Sequence, residues 1–316
     1  MEIYEPREVP LGGLRAMDVR RTLPRRGKSL IGAWCFLDHY GPDDVALTGG
    51  MLVPAHPHIG LQTVSWLFAG EIEHRDSAGS RALVRPGELN LMTAGSGISH
   101  SERSTPATAL LHGVQLWVAL PAHARLMERA FEHHVPPVLS GPGWTGQVFM
   151  GALLGVHSPV HTHSELVGAE IRLEPGAAIR VPVDPTFEHG ILLDAGELTV
   201  AANGSAAVDV PVAHLAFSPV GPGAITLTAG DSGARLILIG GVPFGEKIVL
   251  WWNFVGREHS DIVAAREAWQ HEFEGTGRGD TDAPAEAPAR FGLPLDEPDP
   301  PLPAPVLPLS RLIPRA

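Results

Sequence analysis

"LFAGE" at residues 67–71 recurs as "LDAGE" at residues 193–197, an offset of 126. A single five-residue echo is weak, so the same offset was carried along the chain. "AGSGIS" at 94–99 then falls on "VGPGAI" at 220–225, with Gly95 over Gly221, Gly97 over Gly223 and no gap. Leu89 meets Leu215 and Leu91 meets Phe217 in the same register. Glycines mark backbone geometry that a duplicated fold must retain. Two glycine turns with matching apolar flanks therefore indicate two tandem copies of one unit.

The unit is all-β. A charged fraction of only 18%, with Gly 36 and Pro 30, accompanies short apolar runs set between turn signals such as "RPGE", "EPGA" and "ANGS". Residues 30–120 alternate strand and turn through "LQTVSWLFAG", "EIEHRDSAGS", "RALVRPGELNLM" and "LLHGVQLWVALP", with "DSAGS" as a hairpin turn. Strand texture resumes at "WTGQVFMGALLGV" and continues to "ARLILIGGVPF", near residue 244. Between them "AHARLMERAFEHHVPP" (122–137) reads as a helical turn and a proline-marked linker. The expected units are residues 1–135, 136–256 and 257–316, since 316 residues suffice for two ordinary domains and a tail. In the last unit "HSDIVAAREAWQHEFEG" (259–275) predicts a short helix, with Ile262, Ala265, Arg266, Trp269 and Phe273 near one face, Ser260 or Asp261 as cap and Gly275 as stop. Ten prolines from residue 284 onward preclude helix or central strand. That tail is expected to be extended, with "LPAPVLPL" lying on the body or serving as a ligand for another protein.

The formal charge of −12 argues against binding nucleic acid through its phosphates, which needs a basic surface. Only "RRTLPRRGK" (20–28) is locally basic, and it reads as a solvated loop. Cys35 is the single cysteine, which excludes an intrachain disulfide and fits a reducing cytosol. "MEIYEPREVP" has no signal pattern and no run of eighteen apolar residues occurs, so a cytoplasmic monomer without a membrane span is expected.

Against this frame "AHPHIG" (55–60) stands out. Side chains two apart on a strand share a face, so His56 and His58 can close on one metal ion. After the first copy's glycine turn comes "GISHSE", giving His100 and Glu102, again an i, i+2 pair. Moved by 126, the four positions become Pro182, Asp184, Thr226 and Thr228. The scaffold is repeated and the donor set is not. Three buried imidazoles and a carboxylate are costly without a cation and favourable with one, so these four residues are the candidate metal ligands. A structural zinc staple is the weaker alternative, because such sites usually use thiolates. His161 and His163 have no partners in register and read as loop residues, His39 and His74 as hydrogen-bonded structural residues, and His133 and His134 as linker. Glu188 and His189 take the places of Gln62 and Thr63, where a residual polar site is the weaker reading.

"HPHIGLQTVSWLFAGEIEHRDSAGS", "LMTAGSGISHSE" and "GVQLWVALP" closely resemble the pirin family of the cupin superfamily. "GAWCFLDHYGP" (32–42) and "GGVPFGEKIVLWWNFVGREHSDIVAAREAW" (240–269) extend the likeness over most of residues 15–275, and "ARFG" (289–292) is similar to a family C-terminal element. The resemblance implies a bicupin, two tandem antiparallel jelly-roll β-barrels with one metal in the first. It carries the family's iron ligands onto His56, His58, His100 and Glu102. It also implies a quercetin 2,3-dioxygenase activity on a small aromatic substrate, with Glu102 as ligand and base. The alternative is a metal- or redox-responsive regulator that binds a protein partner. Fe(II) is the expected metal, although histidine-rich sites also accept zinc, nickel, copper or manganese. Ile59 and Ser96 stand where the family commonly has arginine, which predicts a less basic rim to the pocket.

Overall fold

A computed structural model of the chain describes residues 1–10, 17–273 and 289–316. Two antiparallel jelly rolls follow one another. In the first, a seven-stranded sheet runs in the order Ala130–His134, Leu89–Thr93, Leu61–Ala69, Leu110–Ala119, Trp34–Asp44, Asp18–Leu23, Arg7–Pro10. It packs on a four-stranded sheet ordered Leu52–His58, Ile98–Ser104, Ile72–Asp76, Arg81–Val84. The second roll is built around two long strands, Glu188–Ala202 and Ala224–Gly241, which pair along most of their length. Their register breaks between Leu193 and Ala195 and between Gly196 and Leu198, where bulges let the strands turn a corner.

The repeated motif has a backbone cause. Gly70 and Gly196 adopt φ of 89° and 87°. A Cβ on Gly70 would lie 2.6 Å from the Leu110 carbonyl oxygen, and one on Gly196 would lie 2.1 Å from that of Gly233, so only glycine serves at either place. The offset of 126 also holds in the pairing, with Val64 opposite Leu91 and Gly190 opposite Phe217. It slips in the strand that carries the first histidine pair. His58 lies opposite Ile98, but Ala224, the counterpart of Ile98, lies opposite Pro182 rather than Asp184. A longer connection, residues 183–187, takes up the difference. The counterparts of His56 and His58 by pairing are thus Arg180 and Pro182, a two-residue correction to the ungapped alignment.

Strand alternation buries the central sheet of the first roll on both faces. Val64, Trp66, Phe68, Val114, Leu116 and Val118 point toward the second roll and share one apolar core with Phe149, Leu192, Ile237 and Ile239. Burial of each large side chain there contributes roughly 1.5–3 kcal/mol. Ser65, Gln115 and Trp117 are out of phase with them and face the interior of the first roll. Polar contacts fix the relative placement of the rolls: Trp66 Nε1 donates to Glu170 Oε2 at 2.7 Å and Trp34 Nε1 to the Gly240 carbonyl at 3.0 Å. His39 Nε2 and His112 Nε2 lie 2.7 and 2.6 Å from Asp194 Oδ1, and Arg235 pairs with the other oxygen. Elements also cross over. Glu2–Tyr4 pairs with Leu215–Ser218 of the second roll, and the hairpin Val249–Trp251/Phe254–Gly256 bridges to Ile59 of the first.

The segment 122–137 departs from expectation. Turns occupy residues 122–127, and Ala130–His134 is a strand paired to Leu89–Thr93. Tertiary pairing overrides helical propensity here, because Phe131 stacks on His74 at 4.8 Å and His133 bonds Asn90. The helix forms at His259–Phe273 and buries Ile262, Ala265 and Trp269. Asp261 caps it from within, its carboxylate accepting the N–H groups of Arg257 and Glu258 at 2.7 and 3.1 Å. Gly275, the expected stop, lies outside the described residues. The tail from Ala289 is extended and docked: Phe291 is buried, Leu302 N donates to the Ala55 carbonyl, and Trp269 Nε1 donates to the Leu302 carbonyl.

Replacing Asp194 with alanine leaves two buried imidazoles and Arg235 without their common acceptor. Chemical denaturation of Asp194→Ala should show a loss of about 3–5 kcal/mol, and a loss below about 1 kcal/mol would contradict the role of this contact in joining the rolls.

Candidate metal centre

His56 and His58 project inward from Leu52–His58, and His100 and Glu102 from the neighbouring strand Ile98–Ser104, where His100 pairs directly with His56. All four are buried. The structure gathers the three imidazoles tightly: ring centroids are 5.0 Å apart for His56 and His58, 4.4 Å for His56 and His100, and 4.9 Å for His58 and His100. One nitrogen from each lies within 4.8 Å of the others. Glu102 stands one step aside, grouped with His74 and His100, because the register shifts between His100 and Glu102 and sets Glu102 opposite Val53.

The partners of these rings fix which nitrogens carry protons. His56 Nδ1 donates to the Pro54 carbonyl at 2.9 Å, and His58 Nδ1 to the Asn253 carbonyl at 3.1 Å. Asp76 is held as an acceptor by the N–H groups of Ala78 and Ser80, so His74 Nε2 donates to it at 3.2 Å. His74 Nδ1 is then a lone pair and receives the Nδ1 proton of His100 at 3.2 Å. Every chain of donors ends the same way, with Nε2 of His56, His58 and His100 left as bare lone pairs. His58 Nε2 and His100 Nε2 face each other at 3.1 Å. Two acceptors at that distance suit a shared cation.

Burial sets the charge states. It pushes His56 down to about 4 and His58 and His100 well below their usual range, with neighbouring imidazoles adding to the effect. The rings are therefore neutral, as metal ligation requires. Burial raises Glu102, against the smaller opposing effects of His74 and of the Ser65 hydroxyl 3.4 Å away. Such a carboxyl lacks compensating positive charge.

The cluster floors a cavity of about 340 Å³ whose walls include Phe36, Trp117, Leu250 and Trp252, with Arg21 and Leu302 also lining it. Two expectations about its rim change. Ile59 is not at the pocket but points the other way, buried with Phe254, Trp269 and Phe291, since adjacent strand residues face opposite sides and His58 points in. Ser96 sits on the turn at the end of the roll, where its carbonyl accepts from Arg290. The basic group at the cavity is instead Arg21, paired to Asp38 at 2.7 Å and stacked over Phe36. Sequence reading missed Asp76 as the partner of His74 and the link from that pair to His100; the signal is the i, i+2 spacing of His74 and Asp76, which sets both beside His100 and Glu102. His39 and His74 are hydrogen-bonded residues as expected, and His161 is, also as expected, an exposed loop residue, which holds Glu132.

Five of the buried histidines, His39, His56, His58, His100 and His189, are pushed below their ordinary value of 6.5 by burial, His56 and His189 to about 4. The unfolded chain takes up protons below 6.5 before the folded one does, so this share of stability is present above pH 6.5 and is lost as the pH falls toward 4. Thermal denaturation of metal-free protein should give a Tm that drops by several degrees between pH 7 and pH 5; a flat or rising Tm would contradict the neutral, buried state of these rings.

The chain is similar to known proteins along most of its length. Residues 16–118 match the Pirin family model, and residues 168–274 match the model for the pirin C-terminal cupin domain. A Pseudomonas aeruginosa protein that carries the provisional name quercetin 2,3-dioxygenase is 42% identical over 87% of this chain and 85% of its own length. A pirin-like protein of Caulobacter vibrioides is 34% identical over 85% of this chain and 92% of its own. Among solved structures, a quercetin 2,3-dioxygenase from Acinetobacter baumannii superposes with a TM-score of 0.86 at 38% identity, covering 98% of this chain and 96% of that one. With both halves matched and the relatives spanning nearly its whole length, the chain belongs to the pirin family of bicupin proteins.

Proposed function

We propose that this protein is a dioxygenase of the quercetin 2,3-dioxygenase type that uses Fe(II) held by His56, His58, His100 and Glu102 and acts on a flavonol or a similar enol. The observation that carries the reading is the convergence of three imidazole lone pairs on one point of a buried, aromatic-walled cavity beside a carboxylate. Nitrogen and carboxylate donors suit Fe(II), and also zinc, nickel, copper or manganese, and Irving–Williams affinities do not by themselves select iron. When bound, Fe(II) supplies Lewis acidity that favours the deprotonated enol and a redox centre able to engage O2.

The chain's own residues supply the rest. Asp76 and His74 hold His100 in the ligating tautomer, and the Pro54 and Asn253 carbonyls do the same for His56 and His58. Glu102, raised by burial, is suited to take the enol proton. Ser65 Oγ lies 2.9 Å from Gln115 Oε1 and 3.4 Å from Glu102 Oε1, so its single proton serves one of these two acceptors at a time. Trp117 and Phe36 stack on each other at 3.9 Å and present flat apolar surface to an aromatic guest while excluding water. The relatives named for quercetin dioxygenase activity support the same substrate class.

The test reconstitutes metal-free protein with Fe(II) under anaerobic conditions, adds a flavonol, then admits air and follows O2 uptake and loss of flavonol absorbance. Turnover is expected, with Glu102→Gln lowering it by about 100-fold or more, the scale of a lost general base. His56→Ala should lose bound metal; unchanged metal content would refute the ligand assignment. Full metal occupancy without turnover for any of the five metals would refute the dioxygenase and favour a metal-responsive regulator.

A further inference from the structure

The second jelly roll has lost the ligand positions but has not filled its mouth. A cavity of about 300 Å³ opens there beside the longer connection 183–187. Its walls are largely apolar, formed by Leu153, Val167, Val183 and Phe187. His189 lies in it, 1% exposed, on a strand whose neighbours Ile191 and Leu193 belong to the interior of this roll. Both ring nitrogens of His189 are buried and neither has a hydrogen-bond partner among the described residues, so an occupant of the cavity reaches them when the ring turns toward it. Leaving both nitrogens of a buried imidazole unsatisfied costs stability, so the arrangement calls for an occupant. The backbone makes deliberate room for the ring: a Cβ on Gly240 would come within 2.7 Å of His189 Cδ2. Glu188, the adjacent residue, is already committed to Lys28 and to the Gly32 N–H, so it does not compete for the cavity.

We propose that this cavity is a second small-molecule site, distinct from the metal centre, that binds a small phenol with its hydroxyl on His189 and its ring against Phe187. The chemistry selects that class. Burial keeps the imidazole neutral, which leaves one acceptor nitrogen for a phenolic O–H and one donor N–H. Phe187, whose ring centroid is 6.1 Å from that of His189, offers an aromatic face. Among the described residues, the charged groups in the lining besides histidine are Asp184 and Glu165 and none is lysine or arginine, which disfavours carboxylates and phosphates. The volume is at the small end of ligand cavities and admits a single ring. Nothing in this site depends on the metal.

The test titrates phenol and 4-methylphenol, with benzene as the ligand lacking the hydroxyl, into the full-length metal-loaded protein, read by saturation-transfer NMR and by the ring 15N shifts of His189. The site should saturate with either phenol and shift both His189 ring resonances, while benzene binds more weakly. His189→Phe should weaken phenol binding about ten-fold, the scale of one buried hydrogen bond. Ala152→Trp, at an exposed position on the cavity wall, should block binding without touching the core, and decides the matter if His189→Phe fails to fold. No saturable binding at millimolar phenol, unmoved His189 resonances, or binding that persists undiminished in Ala152→Trp would overturn the proposal.

Discussion

Bare nitrogen lone pairs repel one another, and a dry protein interior gives them no water to soften the repulsion. His56, His58 and His100 are nonetheless turned so that their Nε2 atoms meet, and each is locked in that tautomer by a separate acceptor on its far side. The rest of the first jelly roll serves this arrangement. Two adjacent strands supply the pairs, a bulge sets Glu102 apart, and the hairpin that provides Asn253 arrives from beyond the second roll. The docked tail closes from outside, with Leu302 reaching both the cavity and the Ala55 backbone at the foot of the histidine strand. A divalent ion converts the repulsion into the strongest local attraction, which is why the proposed metal unifies features as distant in sequence as Pro54 and Asn253.

The second roll acts on the first mainly through the shared sheet. Because Leu61–Ala69 and Leu110–Ala119 are buried on both faces, the side chains lining the cavity are backed by the apolar layer of the interface and cannot easily shift. The Asp194 cluster adds a polar clasp in which two histidines of the first roll and Arg235 of the second share one carboxylate. Such rigidity favours a fixed donor geometry. The duplication thus left one copy with the donor set and the other as its support, with an unsatisfied histidine at its own mouth.

Much of this was legible in the chain. The glycines at 70 and 196 betray the duplication because their φ angles admit no other residue, and a glycine survives where neighbours drift. His56, His58, His100 and Glu102 were found because i, i+2 spacing is all a strand needs to aim two side chains together. What escaped was set by pairing between distant segments. The strand Ala130–His134 reads as helix until Leu89–Thr93 is placed beside it, and the two-residue slip that replaces Asp184 by Pro182 opposite Ala224 leaves no mark in an ungapped comparison. Ile59 was misplaced for a simpler reason: neighbours in sequence on a strand are on opposite faces in space, so the residue beside the histidine pair belongs to the cluster around Trp269. The link from Asp76 through His74 to His100 was within reach of spacing alone, but only the pairing identifies its destination.

The central claim is a single metal ion at the meeting point of these four side chains. It is tested most directly by crystallising protein reconstituted with Fe(II) and recording anomalous diffraction on either side of the iron absorption edge. The account predicts one iron peak in the cavity, within bonding distance of Nε2 of His56, His58 and His100 and of the Glu102 carboxylate. Iron found elsewhere, or imidazoles in the cavity bound through Nδ1 after breaking their contacts with Pro54, Asn253 and His74, would contradict it.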